Sequence, residues 1–212
     1  MFSIIIPACQ EENYIEKTLS SLPARKDVEV IVVCNGCTDK TAEKAKKYAS
    51  ILQLKERNVS KARNEGAQNA KGNILIFLDA DTELTKGCLE AIEKTLQKHA
   101  AGTCKVLPDN KKIKYKISMA FKNLFLWTKW TSGIIFCTKE VFEKVNGFNE
   151  KLSKREDKEF VRKCAKEGSF GVASCYVINS MRRFEQKGML RMMGFWIKEA
   201  MHPSKEKYEV IR

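Results

Sequence analysis

Residues 73–81, with the sequence NILIFLDAD, indicate the fold of this 212-residue chain most directly. A short and continuous apolar run is typical of a strand that is buried on both faces of a parallel sheet. Asp79 and Asp81 follow this run directly. Because α/β proteins bind ligands beyond the carboxyl ends of such strands, the two aspartates are candidate site residues.

Similar runs lie on the N-terminal side, at residues 2–6 (FSIII) and 28–33 (VEVIVV), with a weaker candidate at 51–55. Helical patterns separate the runs: residues 38–49 follow the cap candidates Thr38 and Asp39, and residues 61–71 follow Ser60. A third helix is predicted over 86–98. Alternating strands and helices predict an α/β, Rossmann-like fold, in which a mostly parallel central sheet has helices on both faces.

The second half of the chain has a different pattern. It predicts a Lys-rich and aromatic helical stretch at 111–128, a strand at 134–138, helices at 139–145 and 155–167, a strand at 171–178 and a Met-rich helix at 188–201. Neither a repeat nor a low-complexity linker separates the halves. We therefore expect residues 1–104 and 105–212 to form two halves of one compact domain, the first binding the ligand.

Composition excludes several protein classes. With 43% hydrophobic and 31% charged residues, the chain is too apolar for a disordered protein. Its longest stretch without a charge, residues 168–181, is shorter than the roughly 20 residues of a membrane-spanning helix. The N-terminus resembles a strand rather than a signal peptide, and eight scattered cysteines suit reduced thiols. We expect a cytoplasmic protein without a transmembrane helix.

The carboxylates of Asp79 and Asp81, spaced i, i+2, can project to one side and offer hard oxygen ligands to Mg²⁺ or Mn²⁺. Such an ion would bridge a diphosphate, although an isolated pair of this kind is also common at strand ends and helix caps. Polar loops follow the first two strands as well, PACQEEN at residues 7–13 and CNGCTD at 34–39. Three loops are therefore expected to line one pocket.

Four segments in this order support a family resemblance. IIIPACQEENYI, VEVIVVCNGCTDKTAEKA, VSKARNEGAQNAKGNILIFLDADTEL and SGIIFCTKEVFEKVNGFNEKLSKREDKEFVRKCAKEG resemble the family 2 glycosyltransferases with the GT-A fold, over about residues 2–185. The resemblance implies transfer of a sugar from a nucleoside-diphosphate sugar, usually with inversion and with a divalent cation, Mn²⁺ or Mg²⁺. It implies an acceptor, for which we expect a glycan or a lipid-linked molecule, and the lipid-linked option rests on the basic helical stretch of residues 105–130.

The resemblance also implies roles for single residues. Asp81 would ligate the cation directly, while Asp79 would contact the sugar or ribose and reach the cation through water. Where the family has an acid that recognises uracil, this chain has Cys34, so both UDP and GDP remain open as the nucleotide. The other implied nucleotide-sugar-binding residues are Pro7, Ala8, Glu12, Asn35, Asp39, Arg63 at the diphosphate, Ser132 near the donor sugar, and Arg182 with Arg183 on a mobile loop over the diphosphate.

Glu156 and Asp157 are predicted to open a helix, where the unpaired N–H groups and the positive end of the dipole keep a carboxylate ionised. Capping is the structural alternative. Direct displacement by an acceptor hydroxyl needs a carboxylate within hydrogen-bond reach. By family position, Asp157 is the predicted general base and Glu156 its reserve. His202 is the nearest histidine for an additional metal contact, but its position does not match the family's.

The charge of the chain is unevenly distributed. Of the net charge of +13, residues 105–212 carry +12, from 24 basic and 12 acidic residues. Residues 105–130 contain seven lysines and apolar residues at helical spacing, which favours binding to an anionic membrane surface at the cytoplasmic face. The apolar residues could instead pack on the core or on a second subunit. The oligomeric state is left open.

Two other classes of function compete with the enzyme. One is a non-catalytic nucleotide-sugar-binding protein, which the retained Asp81 and Asp157 disfavour. The other is a basic protein that binds nucleic acid or a membrane surface. Nucleic acid is not an expected partner, because base-stacking repeats and zinc modules are absent from the sequence.

Overall fold

The computed structural model of the protein describes residues 1–131, 133–188 and 194. Within them, one sheet contains the strands β1 Phe2–Ala8, β2 Val28–Asn35, β3 Ser50–Leu54, β4 Ile74–Leu78, β5 Thr82–Leu84, β6 Ala101–Pro108, β7 Ile134–Thr138 and β8 Phe170–Asn179. Their order across the sheet is β3-β2-β1-β4-β7-β6-β8-β5. Four neighbouring pairs are parallel and three, all involving β5 or β7, are antiparallel.

The helices of the described residues are α1 Ile15–Ser20, α2 Thr41–Ala45, α3 Val59–Asn69, α4 Cys88–Leu96, α5 Ile113–Leu124, α6 Lys139–Lys144, α7 Glu156–Glu167 and α8 Arg182–Lys187, with a 3₁₀ turn at Leu126–Thr128. The α/β fold class is therefore confirmed. The predicted helix 38–49 is wrong in length, because residues 46–49 turn into β3. Asn58 rather than Ser60 caps α3, since its Oδ1 accepts from Lys61 N at 3.0 Å.

The sequence patterns missed α1, β5, β6 and α8. The predicted helix at 188–201 falls almost wholly outside the described residues, and so does His202. Antiparallel β7 lies between β4 and β6, so the sheet is parallel from β3 to β4 and mixed beyond it.

Two apolar layers cover the two faces of the sheet. In β1, Ile4 and Ile6 contribute to one layer and Ile5 to the other, as expected from the alternation of side chains along a strand. The second layer contains a group of rings in which Phe77 meets Phe148 edge-on at 4.9 Å between centroids. These layers fix α3 and α7 against the sheet near the carboxyl end of β4.

Gly66 sets the distance between α3 and β1. A Cβ at this position would lie 2.3 Å from Ile5 Cγ2, well inside van der Waals contact. Only glycine therefore lets the helix approach the strand this closely. The close approach positions Arg63, one turn earlier in α3, at the edge of the sheet.

Helix α5 has one buried and one exposed face. Tyr115, Ser118 and Met119 are buried, whereas an apolar stripe on the other face is exposed and consists of Ile113, Ile117, Phe121 and Leu124. The expectation that this stripe packs on the core of the same chain is therefore wrong. In the described part of the chain, no helix is long and apolar enough to cross a membrane.

Candidate active site

The segment Asp79-Ala80-Asp81 connects β4 to β5 at the carboxyl edge of the sheet. Asp79 N donates to Gly133 O at 2.8 Å, which ties the segment to the start of β7. Thr18 Oγ1 donates to Ala80 O at 2.8 Å from α1. These bonds direct the backbone of Ala80 toward the interior of the protein. The side chain of Asp79 is 45% exposed.

Arg63 joins Asp79 to the start of α7. Its Nη1 donates to Asp157 Oδ1 and lies 3.6 Å from Glu156 Oε1, and its Nη2 lies 3.4 Å from Asp79 Oδ1. The guanidinium is 5.0 Å from the ring centroid of Phe148, and its side chain is only 6% exposed. The structure thus surrounds Arg63 with carboxylates, whereas the sequence analysis placed it at a diphosphate. We call Arg63, Asp79, Glu156 and Asp157 the Arg63 cluster.

Arg182 forms a second cluster with Glu11 and Asp81. Its two terminal nitrogens donate to both oxygens of Glu11 at 2.6 and 2.7 Å, and Nη2 is 3.1 Å from Asp81 Oδ2. The guanidinium lies 4.4 Å from the ring centroid of Tyr14. Arg182 was expected on a mobile loop, but it begins α8 and is buried, because its paired charge anchors the segment to the loop before α1 and to the connection between β4 and β5. We call Glu11, Tyr14, Asp81 and Arg182 the Arg182 cluster.

Two further cations belong to the same site. Lys122 of α5 is coupled electrostatically to Asp79, Asp81 and Asp157, and Arg183 is coupled to Asp79 and Glu11. Burial lowers the pKa of Lys122 to about 8, although the neighbouring aspartates oppose this shift. Lys122 was counted among the membrane-facing lysines, and that expectation is wrong because it lies on the inner side of α5.

The predicted residues of the first two loops bind mainly to each other. Glu12 Oε2 accepts from Lys40 N at 3.1 Å, and Asp39 Oδ2 accepts from Glu12 N at 3.2 Å. Asn35 is buried, and its Oδ1 accepts from Asn58 N at 2.7 Å. These bonds hold the loops after β1 and β2 in place, so Glu12, Asp39 and Asn35 position the loops in this structure.

The remaining predicted residues lie near these loops. Pro7 and Ala8 end β1 beside Val33 and Cys34 of β2. Ala8 O accepts a hydrogen bond from Cys37 Sγ at 3.2 Å. Ser132 lies outside the described residues. Its neighbour Thr131 has Oγ1 at 3.5 Å from Asp157 Oδ2, so this segment adjoins the predicted base.

The local sequence explains the position of Glu156 and Asp157. Arg155 adopts a left-handed conformation with φ of 61°, which redirects the chain into α7. The first turn of α7 then contains three acids, Glu156, Asp157 and Glu159, where the helix dipole favours negative charge. The predicted helix start is thereby confirmed, and Glu156 and Asp157 face Arg63.

Desolvation, with a smaller contribution from neighbouring carboxylates, raises several pKa values at the site. Burial, followed by the charges of Asp157 and Asp81, raises the pKa of Asp79 to about 6, despite the opposing charge of Arg63. Burial also raises the pKa of Glu11 and of Glu156, although Arg182 and Arg63 respectively oppose it. The arginines therefore offset only part of the negative charge.

The donor set fits a divalent cation. Asp79 and Asp81 supply hard oxygen atoms of the type that Mg²⁺ and Mn²⁺ prefer. Desolvation is the main cause of the raised pKa of Asp79 and the charges of Asp157 and Asp81 add to it, so a nearby divalent ion would favour the ionised carboxylate. Arg63, Lys122, Arg182 and Arg183 provide additional positive charge, which suits an anionic ligand such as a diphosphate.

Sequence reasoning missed Glu11, Tyr14 and Lys122 as site residues. Glu11 precedes Glu12 in PACQEEN, so the acidic pair itself was a signal, but its partner Arg182 is 171 residues away. Lys122 could have been found from the helical wheel of α5, because it lies opposite the apolar stripe formed by Ile113, Ile117, Phe121 and Leu124.

Comparison with known proteins agrees with this geometry. The sequence model described as "Glycosyl transferase family 2" matches residues 3–141, more than half of the chain. The chain belongs to glycosyl transferase family 2. The GT-A fold implied by the sequence resemblance is confirmed by solved structures of similar fold.

Curated relatives of this family 2 member match parts of it. Glycosyltransferase GlyA of Streptococcus pneumoniae is 32% identical over 107 residues, which are 47% of this chain and 15% of GlyA. Poly(ribitol-phosphate) beta-N-acetylglucosaminyltransferase TarS of Staphylococcus aureus is 30% identical over 109 residues, 46% of this chain and 19% of TarS. The chain therefore spans less than a fifth of the length of these two relatives.

Two solved structures show the same fold. S. aureus TarS 1-349 in complex with UDP-GlcNAc has a TM-score of 0.69 at 21% identity, covering 84% of this chain and 58% of that one. The mannosyltransferase PcManGT from Pyrobaculum calidifontis, in complex with GDP-Man and Mn²⁺, has a TM-score of 0.68 at 19% identity, covering 93% and 64%. Both similarities concern the fold.

Proposed function

We propose that this family 2 protein transfers a sugar from a UDP- or GDP-sugar to a hydroxyl or lipid-phosphate acceptor, with inversion. The observation that carries the proposal is the meeting of the Arg63 and Arg182 clusters at Asp79-Ala80-Asp81. There, carboxylates suited to a cation adjoin cationic side chains suited to a diphosphate and a carboxylate suited to act as a base.

Residues 1–104 supply the donor-binding part of this site, with Asp81 as the direct ligand of Mn²⁺ or Mg²⁺ and Asp79 as its neighbour. The bound cation would stabilise negative charge on the departing nucleoside diphosphate. Arg182, Arg183 and Lys122 add fixed positive charge around the same group. In this proposal Arg182 exchanges Glu11 and Asp81 for phosphate oxygens when the donor binds.

Asp157 is the proposed general base of the acceptor half, residues 105–212. Arg63 fixes one of its oxygens, Oδ1, while Oδ2 is 3.5 Å from Thr131 Oγ1 and is the atom left to accept the acceptor proton. The side chain of Asp157 is 32% exposed and that of Glu156 only 16%, which favours Asp157 for contact with an acceptor. Arg63 then acts as a positioning residue for the base.

Ligand-induced stabilisation tests the donor site. A ligand that binds only the folded state raises the thermal midpoint, so UDP or GDP with Mn²⁺ should stabilise the wild type. Asp81→Asn should abolish that shift. Asp27→Asn is the matched control, since Asp27 pairs with Arg25 at the surface. Equal stabilisation of wild type and Asp81→Asn by the same nucleotide with Mn²⁺ would contradict the proposed ligand.

Turnover distinguishes the enzyme from a nucleotide-sugar-binding protein. Asp157→Asn should lower single-turnover transfer by roughly 100-fold or more, the usual contribution of a general base, while the nucleotide still binds. A wild type that binds a UDP- or GDP-sugar but never transfers the sugar would support the binding protein. RNA binding that weakens with salt and survives Asp81→Asn would support the nucleic-acid alternative.

The exposed face of α5 supports a second proposal, association with an anionic membrane that carries a lipid-linked acceptor. The apolar stripe Ile113, Ile117, Phe121 and Leu124 is exposed, with Lys114 and Lys116 on either side of it. Trp127, 75% exposed, follows directly. An apolar stripe between lysines matches an interfacial helix on anionic lipid. It would act at the cytoplasmic face.

Flotation with vesicles of phosphatidylglycerol and phosphatidylcholine at low salt tests this surface. The wild type should float, and Ile117→Glu should not. Tyr48→Glu is the matched control, because Tyr48 is an exposed apolar side chain in the other half of the chain. Equal flotation of the Ile117→Glu variant, or none of the wild type, would remove the membrane proposal and leave the donor-site proposal untouched.

A further inference from the structure

Three buried cysteines meet away from the candidate active site. Cys88 begins α4, Cys104 lies in β6 and Cys175 lies in β8, and their sulfur atoms all lie within 4.8 Å of one another. The Cys175 and Cys104 sulfurs are 3.4 Å apart. All three are reduced. Three separate elements therefore bring one sulfur each to the same point.

Two backbone features produce this meeting. The parallel register between β6 and β8 is interrupted at Cys104 and Lys105, which pair with Ala173 and Tyr176 respectively. The register thus skips Ser174 and Cys175, and this bulge places Cys175 beside Cys104. Gly87, with φ of 81°, lets the chain turn into α4, and Cys88 Sγ then donates to Tyr176 O at 3.1 Å.

The spacing of the sulfurs suits a thiolate-bound metal ion. A Zn–S bond is about 2.3 Å, so tetrahedral geometry separates two ligand sulfurs by about 3.8 Å. The observed range, 3.4 Å for one pair and at most 4.8 Å for the others, brackets that value.

A cavity of about 540 Å³ has Cys88, one of the three cysteines, in its lining. Its lining also includes Thr85, Arg25 and Lys86. Thr85 Oγ1 is 3.5 Å from Cys88 Sγ and donates to Tyr176 O at 2.6 Å, so a hydroxyl group lies beside the cluster.

We propose that Cys88, Cys104 and Cys175 bind one thiophilic cation of the Zn²⁺ class, with a water molecule from the cavity as the fourth ligand. Binding releases thiol protons to solvent and involves no redox step. The ion would connect α4 to β6 and β8. Strand β8 pairs with β5, and β5 begins directly after Asp81. This site is separate from the carboxylates proposed for Mn²⁺ or Mg²⁺, and it does not depend on the proposed transfer reaction.

Cobalt substitution tests the site on the reduced, metal-free full chain. Co²⁺ should produce thiolate-to-cobalt charge-transfer absorption that saturates at one equivalent and that Zn²⁺ displaces. Cys104→Ala and Cys175→Ala should each abolish this absorption. Cys164→Ala is the matched control, because Cys164 is another buried core cysteine, next to Cys137. Asp81→Asn should also retain the signal.

X-ray absorption of the zinc-loaded wild type provides a test that needs no variant. Three sulfur ligands are expected. A count of two or fewer sulfur ligands would overturn the proposal. Loss of the cobalt absorption in Cys37→Ala would also overturn it, because that result would assign the ion to Cys34 and Cys37. Folded wild type that gives no thiolate absorption with Co²⁺ would show that the three cysteines only fill the core.

Discussion

Arg63 and Arg182 have similar surroundings but different anchorage. Each side chain is 6% exposed, each pairs with one aspartate of the Asp79-Ala80-Asp81 segment, and each has a buried Nε without a hydrogen-bond partner. Arg63, however, lies within the 11-residue helix α3, packed on β1 and β2. Arg182 begins the six-residue helix α8.

This difference separates two tasks within one charged site. A side chain from a long helix packed on the sheet is well suited to fix the geometry of Asp157 and Asp79. A side chain from a short terminal helix can change partners at lower cost, because fewer packed residues move with it. In the proposed function, the Arg63 cluster is scaffold and the Arg182 cluster responds to the anionic donor.

Arg63→Met should have the largest effect on stability. It leaves Asp79, Glu156 and Asp157 without their shared cation, and removal of one partner from a buried ion pair costs about 3–5 kcal/mol. Urea unfolding measures the change. Arg25→Met is the control, because Arg25 forms an exposed pair, and it should change little. Equal stability of the two variants would show that Arg63 is not part of the scaffold.

Arg182→Met should destabilise the protein less, by about 1.5–3 kcal/mol, the usual contribution of hydrogen bonds to charged groups. Two carboxylates rather than three lose their partner, and Arg183 remains near Glu11. The same urea experiment applies. A loss as large as that of Arg63→Met would reverse the assignment of scaffold and responsive cluster.

The pH dependence of stability should report the raised pKa of Asp79 in the Arg63 cluster, which desolvation causes first and the charges of Asp157 and Asp81 second. The pKa of Asp79 is raised from 3.8 to about 6, so the folded state binds its proton more tightly than the unfolded state in this window. Its contribution to the free energy of unfolding is therefore present below pH 3.8 and is lost as the pH rises through 6. Since Asp79 is 45% exposed, the loss should be on the order of 1 kcal/mol.

In metal-free buffer, Asp79→Asn should remove the part of the decrease in the free energy of unfolding with pH that comes from this carboxyl group. Urea unfolding at pH values from 4 to 7 measures it. Asp27→Asn, a surface change, should leave the slope intact. Asp79→Asn and the wild type could instead lose stability in parallel over this range. In that case the raised pKa belongs to another group, and the two clusters do not differ in electrostatics in the way proposed.

Sequence patterns predicted the first half of the fold better than the second. The runs at 2–6, 28–33 and 73–78 are apolar on both faces, and strands of that kind have few alternatives to a parallel sheet. The sequence of β6, AGTCKVLP, was missed because its apolar and polar residues alternate only weakly and because it contains Gly102 and Pro108. Its place beside β7 and β8 depends on distant pairing partners rather than on local periodicity.

The same limit applies to the candidate site. Five site residues lie just after the end of β4 or in the first half of α3 and α7, and these element ends meet at one edge of the sheet. Their proximity could therefore be expected from the sequence: Asp79, Asp81, Arg63, Glu156 and Asp157. Glu11 and Arg182 meet across the whole chain, and no local pattern links them. Lys122 differs in this respect, because helical spacing already places it opposite the apolar stripe of α5, and the packing of α5 then shows which acids it faces.

Tyr14→Leu should have the smallest effect, and it refines the contrast between the two arginines. The ring of Tyr14 lies 4.4 Å from the Arg182 guanidinium, and such a cation–π contact contributes about 0.5–1 kcal/mol where solvent has partial access. Tyr14→Phe keeps the ring and should retain most of that energy. In the Arg182→Met background, Tyr14→Leu should cost almost nothing more, since the ring then has no cation to contact. An undiminished cost there would mean that Tyr14 stabilises α1 by packing alone, and that Arg182 is anchored by Glu11 and Asp81 without it.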